Sequence, residues 1–256
     1  NYPEAVKSYR KAAEQGYARA QTNLGWLYVI GEAVPQNNIE AIKWFRKAAS
    51  QGDKIAQYNL GLMYLNGKGV PQDDLEAVKW FRKAAEQGET SAQNDLGVMH
   101  QFGRGVPQDD SEAVKWYWRA AEKGEISAQN NLGVMFQNGR ALPQDDAEAV
   151  KWYRKAAEQG YVIAQTNLAW MYQNGRGVPQ DDLEAIKWFR KAAEQGEVIA
   201  QTNLGDMYLY GKGVPQDDAE AVKWYRKAAE QGYAEAQTNL GWMYEKGRGV
   251  PQDDSE

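Results

Sequence analysis

Few side chains in this sequence have the chemistry to act on a substrate. There is one histidine, His100, and no cysteine. Asp95 lies five residues before His100, which is not the spacing of a metal pair, and a single imidazole without thiolates makes a poor zinc site. His100 therefore reads as a structural residue, with its ring nitrogens satisfied inside the fold. Asp-Asp pairs occur at Asp73-Asp74, Asp109-Asp110, Asp145-Asp146, Asp181-Asp182 and Asp217-Asp218. Recurrence at one loop register, with Asn37-Asn38 in the first loop, points to helix capping rather than paired-carboxylate catalysis. No serine sits in G-x-S-x-G or S-x-x-K, and the G-x-G loops lack the lysine and strand of a phosphate-binding loop. No catalytic residue, metal site or cofactor is assigned, and the protein is not expected to be an enzyme.

Formal charge is −5, spread along the chain. No basic face marks a nucleic-acid binder and no polybasic stretch marks a membrane surface. No apolar run approaches the roughly 18 residues of a membrane span. Without cysteine, the sequence fits either redox compartment. The opening residues lack an initiator Met and the apolar stretch of a signal peptide, and they begin inside a repeat. The closing GVPQDDSE stops where another helix would begin. The chain reads as a fragment of a longer protein.

The elements that position any site follow from a strict period. Prolines fall at 35, 71, 107, 143, 179, 215 and 251, every gap being 36 residues. The motif N-L-G-x-M-Y recurs at Asn59–Tyr64 and Asn203–Tyr208, and E-A-V-K-W-[YF] at Glu76–Phe81 and Glu220–Tyr225. Each period predicts two helices. Helix A spans about Lys54–Asn66, with Ala56, Leu60, Met63 and Tyr64 forming an apolar stripe. Gly67 and Gly69 end it, because glycine accepts the left-handed conformation of a helix stop. Helix B follows Pro71. Asp73 is its N-cap, and Glu76 is expected to reach back in a capping box. Its buried stripe is Ala77, Trp80, Phe81 and Ala84, and it runs to Gln87. Such short hairpins cannot bury two stripes alone, so neighbours must stack into an all-α solenoid. One solenoid domain is expected over 1–256. Its repeats are 17–52, 53–88, 89–124, 125–160, 161–196 and 197–232, flanked by a lone helix B in 1–16 and a lone helix A in 233–256.

These residues resemble the tetratricopeptide pattern W-x2-L-G-x2-Y…A-x3-F, here Gln57-x2-Leu60-Gly61-x2-Tyr64…Ala77-x3-Phe81. The period is 36 rather than 34. Together with the Gly67–Asp74 loop and the Trp80–Gly88 ending, it resembles the Sel1-like repeat family over the whole chain. The resemblance implies an α–α superhelix and an adaptor that binds a protein or peptide. It also implies a bacterial setting, many such members being exported or acting at the envelope or in host interaction. Cysteine-rich members staple each repeat; this chain has none and must rely on packing. In such proteins helices A line a concave groove.

Four rows on helix A are expected to share one face: Thr22 to Thr238, Trp26 to Trp242, Val29 to Glu245 and Ile30 to Lys246, each repeating every 36 residues. Offsets of four, three and four carry the face away from the apolar stripe and into that groove. Partner-binding candidates on it are Trp26, Tyr58, Leu62, Phe102, Trp170, Asp206, Tyr210 and Trp242. Large rings on an open face carry binding energy at interfaces; sideways packing between A helices is the alternative. A second row, Asn23, Asn59, Asp95, Asn131, Asn167, Asn203 and Asn239, offers donors and acceptors that suit a peptide backbone. Related tetratricopeptide proteins hold extended peptides with an Asn just before Leu-Gly. Bracing of neighbouring helices explains the row equally well. Trp118, which stands where other repeats have Arg, is on an outer face and is open between a second contact surface and a residue prone to crystal contacts.

The sequence thus points to a protein-interaction scaffold with no nucleic-acid partner and no inserted segment. Two alternatives stay open. One is an envelope enzyme or sugar-binding protein, with Asp95 and His100 as its nearest approach to a catalytic pair. The other is a structural oligomer joined end to end through Ala5/Tyr9/Ala12 and Leu240/Met243/Tyr244.

Overall fold

The computed structural model describes the backbone of residues 2–250. The expected start of a further helix within 251–256 lies outside them. Among the described residues there are helices and no strand. The helices of type B are α1 (Tyr2–Glu14), α3 (Asn38–Ser50), α5 (Asp74–Glu86), α7 (Asp110–Glu122), α9 (Asp146–Glu158), α11 (Asp182–Glu194) and α13 (Asp218–Glu230). Those of type A are α2 (Ala18–Ile30), α4 (Lys54–Asn66), α6 (Thr90–Phe102), α8 (Ile126–Asn138), α10 (Val162–Asn174), α12 (Val198–Tyr210) and α14 (Ala234–Glu245). The chain forms two compact units, 1–128 and 129–256.

Helix stops and starts have local causes. After α4, Gly67 takes φ 63° and the Lys68 amide donates to the Met63 carbonyl at 3.0 Å, closing the orphan carbonyls of the last turn. The Asp73 carboxylate caps α5 by accepting from the Glu76 amide at 2.9 Å. The reciprocal half of the capping box does not form. The Asp73 amide already donates to the Tyr64 carbonyl at 3.0 Å, and Glu76 instead meets Lys79 at 2.5 Å.

Packing is nearest-neighbour within each unit. In the first, Phe45, Ala48 and Ala49 of α3 join Ala56, Leu60 and Met63 of α4. Trp80 of the next helix and Tyr28 of the preceding one cover this cluster. The same arrangement recurs one hairpin on, where Phe81, Leu96 and Met99 are closed by Trp116. Trp80 is only half-buried, whereas Trp116, Trp152, Trp188 and Trp224 are buried. The Lys83 ammonium lies 4.2 Å from the Trp80 ring centroid, a cation contact that the buried rings share, as Trp152 does with Lys155 at 3.9 Å. In the second unit Tyr225 and Val222 of α13 pack with Leu209 of α12 and Met243 of α14.

Within each unit, polar couplings tie hairpins to their neighbours. A buried glutamine near the start of helix A donates to a carbonyl ending the previous helix B, as Gln57 does to Ala49 at 3.3 Å and Gln201 to Ala193 at 3.1 Å. That glutamine in turn accepts from the glutamine ending the next helix B, Gln87 to Gln57 at 2.7 Å and Gln231 to Gln201 at 3.0 Å. This is why the register holds Gln57 where the tetratricopeptide pattern has Trp. A second coupling is a two-pronged Arg–Asp pair, Arg104 to Asp74 at 3.0 and 2.9 Å and Arg176 to Asp146 at 2.8 Å for both bonds. The guanidinium fork matches both carboxylate oxygens. Where Lys212 occupies this register, the matching Asp182 keeps one buried oxygen without a partner.

Three expected outcomes follow, one from a break in these couplings and two from the left-handed loop position. Lys123 stands where the second glutamine should be, and the buried Gln93 Oε1 has no partner. Lys123→Gln is expected to raise stability by about 1 kcal/mol, read as a higher urea midpoint at unchanged slope. Gly105 takes φ 65°, and a Cβ there would lie 2.3 Å from the Asp74 carbonyl oxygen. Its equivalent Ala141 carries φ 57°. Gly105→Ala is expected to cost roughly 1–3 kcal/mol and Ala141→Gly to gain up to about 1 kcal/mol, by the same measurement.

Candidate functional site

The four rows of helix A do not share one open face. Thr22, Asn94, Asn130, Thr166 and Thr202 are buried. The Thr202 hydroxyl donates to the Val198 carbonyl one turn back at 2.8 Å. The row from Val29 to Glu245 is also partly scaffold. Gln101 is buried and accepts from the Tyr117 hydroxyl at 2.6 Å, and Gln137 does the same for Tyr153 at 2.5 Å. In both units these rows are therefore divided between buried residues that bond within the scaffold and exposed ones.

The large rings at the registers of Trp26 and Ile30 are exposed. Relative exposure is 50% for Trp26, 63% for Phe102, 36% for Trp170, 65% for Tyr210 and 40% for Trp242. The Trp170 and Trp242 rings lie 5.3 and 5.4 Å from the Arg176 and Arg248 guanidinium carbons. Leu62 is half-buried against the Phe81 cluster.

The asparagine row is partly committed to the scaffold. Asn59 and Asn203 donate to the Ile55 and Ile199 carbonyls at 2.9 and 2.8 Å. Asn167 donates to the Asn130 side-chain oxygen of the adjacent A helix at 3.0 Å. Asn23, Asn131 and Asn239 are half-buried. At Asp95, the Tyr58 hydroxyl donates to one oxygen and the Asn94 amide to the other, each at 3.1 Å. Burial holds the Asp95 carboxyl above its ordinary range against both hydrogen bonds. Burial likewise raises Tyr58 and Glu125, whose carboxyl also feels the Asp95 charge.

Asp95 and His100 are not hydrogen-bonded to each other. His100 is buried, and neither ring nitrogen has a partner. It occupies the register of Tyr28, Tyr64, Tyr172, Tyr208 and Tyr244, whose hydroxyls accept from an arginine eighteen residues earlier. The shorter imidazole makes no such bond with Arg82. Desolvation first, then the Arg82 charge, lowers its pKa and keeps the ring neutral. The expected satisfied histidine is thus a buried but unsatisfied one. Trp118 donates its indole N–H to Glu122 at 2.9 Å.

Four candidates do converge. Asp206, Tyr210, Asn239 and Trp242 line one pocket of about 220 Å³ in the second unit, with Leu209 and Tyr225. The Tyr225 hydroxyl donates to Asp206 Oδ1 at 2.5 Å. Burial raises the Asp206 pKa; the Tyr225 bond opposes this and the Glu235 charge adds to it. Sequence reasoning missed Tyr225. The signal was available in the register, which holds Phe at 45, 81 and 189 and Tyr at 117, 153 and 225. Among the described residues no group of three or more His, Cys, Asp or Glu is placed to hold a metal ion. Nor is any helix long and apolar enough to cross a membrane.

Stacked helix pairs with this loop chemistry and an exposed aromatic edge define an α–α solenoid repeat protein. The Sel1 repeat model matches residues 1–17, 18–53, 54–89, 90–125, 126–161, 162–197, 198–233 and 234–256. The chain belongs to the Sel1 repeat family. It is 44% identical to a protective antigen of uropathogenic Escherichia coli strains displaying an SLR fold, with a TM-score of 0.87 over 96% of this chain and 53% of that one. It therefore spans about half the length of that protein. A Sel1 repeat protein from Oxalobacter formigenes is 43% identical, with a TM-score of 0.78 over 97% of this chain and 72% of that one. The Cut9–Hcn1 hetero-tetramer of APC/C, at 14% identity, shares the fold alone, with a TM-score of 0.60 over 93% of this chain and 46% of that one. No curated protein matches the chain significantly.

The Asp95 environment predicts a pH-dependent effect. A carboxyl whose folded pKa is raised destabilises the fold once ionised, so its favourable contribution is present at low pH and lost as pH rises through the folded value. Asp95→Asn, which restores the residue of the other repeats, is expected to gain on the order of 1 kcal/mol at pH 7. The gain should shrink towards pH 3.5, as followed by thermal unfolding of both proteins across that range.

Proposed function

We propose that the chain is a protein-interaction scaffold that takes a peptide or protein segment along the open edge of its A helices. One contrast carries this reading. The same chain buries Trp116, Trp152, Trp188 and Trp224 on its B helices yet leaves Trp26, Trp170 and Trp242 exposed on its A helices. The chain covers these indoles only in part, Trp170 and Trp242 with Arg176 and Arg248, and rings of this kind supply much of the binding energy where a partner covers the rest. The half-buried asparagines beside them keep spare donor and acceptor capacity. Asn59 and Asn203, for example, each use one amide hydrogen on the scaffold and leave an oxygen to accept from a peptide N–H.

Membership of the Sel1 repeat family supports a protein or peptide as partner, as does the placement of tetratricopeptide-like folds in assemblies such as Cut9–Hcn1. The carboxylates nearest a catalytic pattern are used by the fold. Asp95 is engaged by Tyr58 and Asn94, and the Asp-Asp pairs cap helices.

Selection of a displayed random-peptide library on the full chain is expected to yield binders. Trp26→Ala or Trp170→Ala is expected to weaken a selected peptide by at least ~2 kcal/mol, roughly thirtyfold. Each melting temperature should stay within about 4 °C of the parent, because the rings are half in solvent. Unchanged affinity in both variants with the fold intact would overturn the proposal.

A further inference from the structure

We infer that the pocket between α12 and α14 is a subsite for one basic side chain, a lysine ammonium or arginine guanidinium of the bound segment. The inference rests on the interaction-scaffold reading above and deepens it.

The register at Asp206 is otherwise Trp26, Leu62, Val98, Val134, Trp170 and Trp242. A carboxylate at this one place needs a cause. Satisfying Tyr225 is part of it, since the hydroxyl donates to Oδ1 at 2.5 Å. The chain has a cheaper way to do that. Tyr117 and Tyr153 are satisfied by Gln101 and Gln137, with Val98 and Val134 at the Asp206 register. In this repeat the glutamine is replaced by Leu209 and the valine by Asp206. The exchange installs a negative charge, half-buried, where a neutral amide would serve the tyrosine equally well. The Tyr225 bond engages Oδ1 alone, and the carboxylate lines an open pocket with Tyr210, Asn239 and Trp242.

The walls suit a cation. Tyr210 and Trp242 are exposed rings, and both line the same pocket as Asp206 and Asn239. Ring faces attract ammonium and guanidinium groups, most strongly where water is partly excluded. The Arg248 guanidinium carbon lies 5.4 Å from the Trp242 ring and its charge reaches Tyr210 and Tyr225, so an incoming cation meets Tyr210 and only the uncovered part of the indole. Arg248 does not neutralise Asp206; both of its hydrogen bonds go to Asp218, at 2.8 and 2.6 Å. Glu235 adds negative charge and Lys212 offsets part of it. The volume of about 220 Å³ is small, right for one side chain rather than a folded surface. Asn239 at the rim can accept from the ammonium or from the segment's backbone. An incoming cation would take the second carboxylate oxygen in a charge-assisted bond and lay its methylenes against Leu209 and the rings.

The test uses the full chain and small probes. N-acetyl-lysine methylamide and N-acetyl-arginine methylamide are titrated while the Trp242 indole resonance is followed by NMR. N-acetyl-norleucine methylamide, uncharged and of similar length, is the control. At least one cationic probe is expected to shift the Trp242 signal saturably, with norleucine at least tenfold weaker. The double variant Asp206→Val/Leu209→Gln copies the Val98/Gln101/Tyr117 arrangement, so Tyr225 stays bonded and the fold is kept. It is expected to weaken the cationic probe at least tenfold. Norleucine binding as well as lysine and arginine, no saturable shift with either cation, or a double variant that binds like the parent would each overturn the subsite. Any of these outcomes leaves the scaffold reading standing if selected peptides still depend on Trp26 or Trp170.

Discussion

A thirteen-residue helix is too short to be stable by itself, and a hairpin of two such helices still leaves an apolar stripe wet. Every other feature of this chain answers that constraint. Phe81 lies against Leu96 and Met99 of the following helix, and Trp116 closes the cluster from the one after. A residue of one hairpin is thus made dry by the next. Stability in each unit is a sum of such shared surfaces rather than the property of a single core.

Shared surfaces also need their backbone ends satisfied, and here the polar couplings matter as much as the apolar ones. The buried glutamine of helix A answers a carbonyl left over at the end of the previous helix B, and is answered by the glutamine ending the next. The Arg–Asp pairs seat a loop on the positive end of the preceding helix B, where a carboxylate is already favoured. These contacts fix rotation and spacing between hairpins in a way that apolar packing alone would not. Where one member departs, the partner is left unsatisfied: Gln93 opposite Lys123, Asp182 opposite Lys212, and His100 in the tyrosine register. Such sites mark repeats in which the scaffold rules have been relaxed.

The relaxed positions and the open aromatic edge together describe how a repetitive scaffold acquires a specific face. The scaffold residues recur because every interface must close in the same way. On the reading proposed above, specificity comes from positions that interfaces do not use, chiefly the exposed edge of helix A. Asp206 illustrates the passage from one to the other. It took over a scaffold duty from a glutamine, bonding Tyr225, and in doing so placed a carboxylate among exposed rings.

Much of this was legible in the residues themselves. Proline spacing, glycine stops, aspartate caps and a 3.6-residue apolar stripe are local signals, each with a local cause, and they determined the helices, their boundaries and the stacked architecture. The tertiary structure decided what local signals cannot carry. Helical spacing placed Thr22, Trp26 and Val29 on one face, yet the neighbouring hairpin buries the threonine and leaves the tryptophan open. The capping box at Glu76 looked complete in sequence, but Tyr64 had already claimed the Asp73 amide from across the loop. That Asn167 is spent on Asn130 of the adjacent A helix, and that Asp206 and Trp242 meet in one pocket, depends on contacts more than thirty residues apart. A period states that such contacts repeat; only the packed neighbours determine which atoms remain available to a partner.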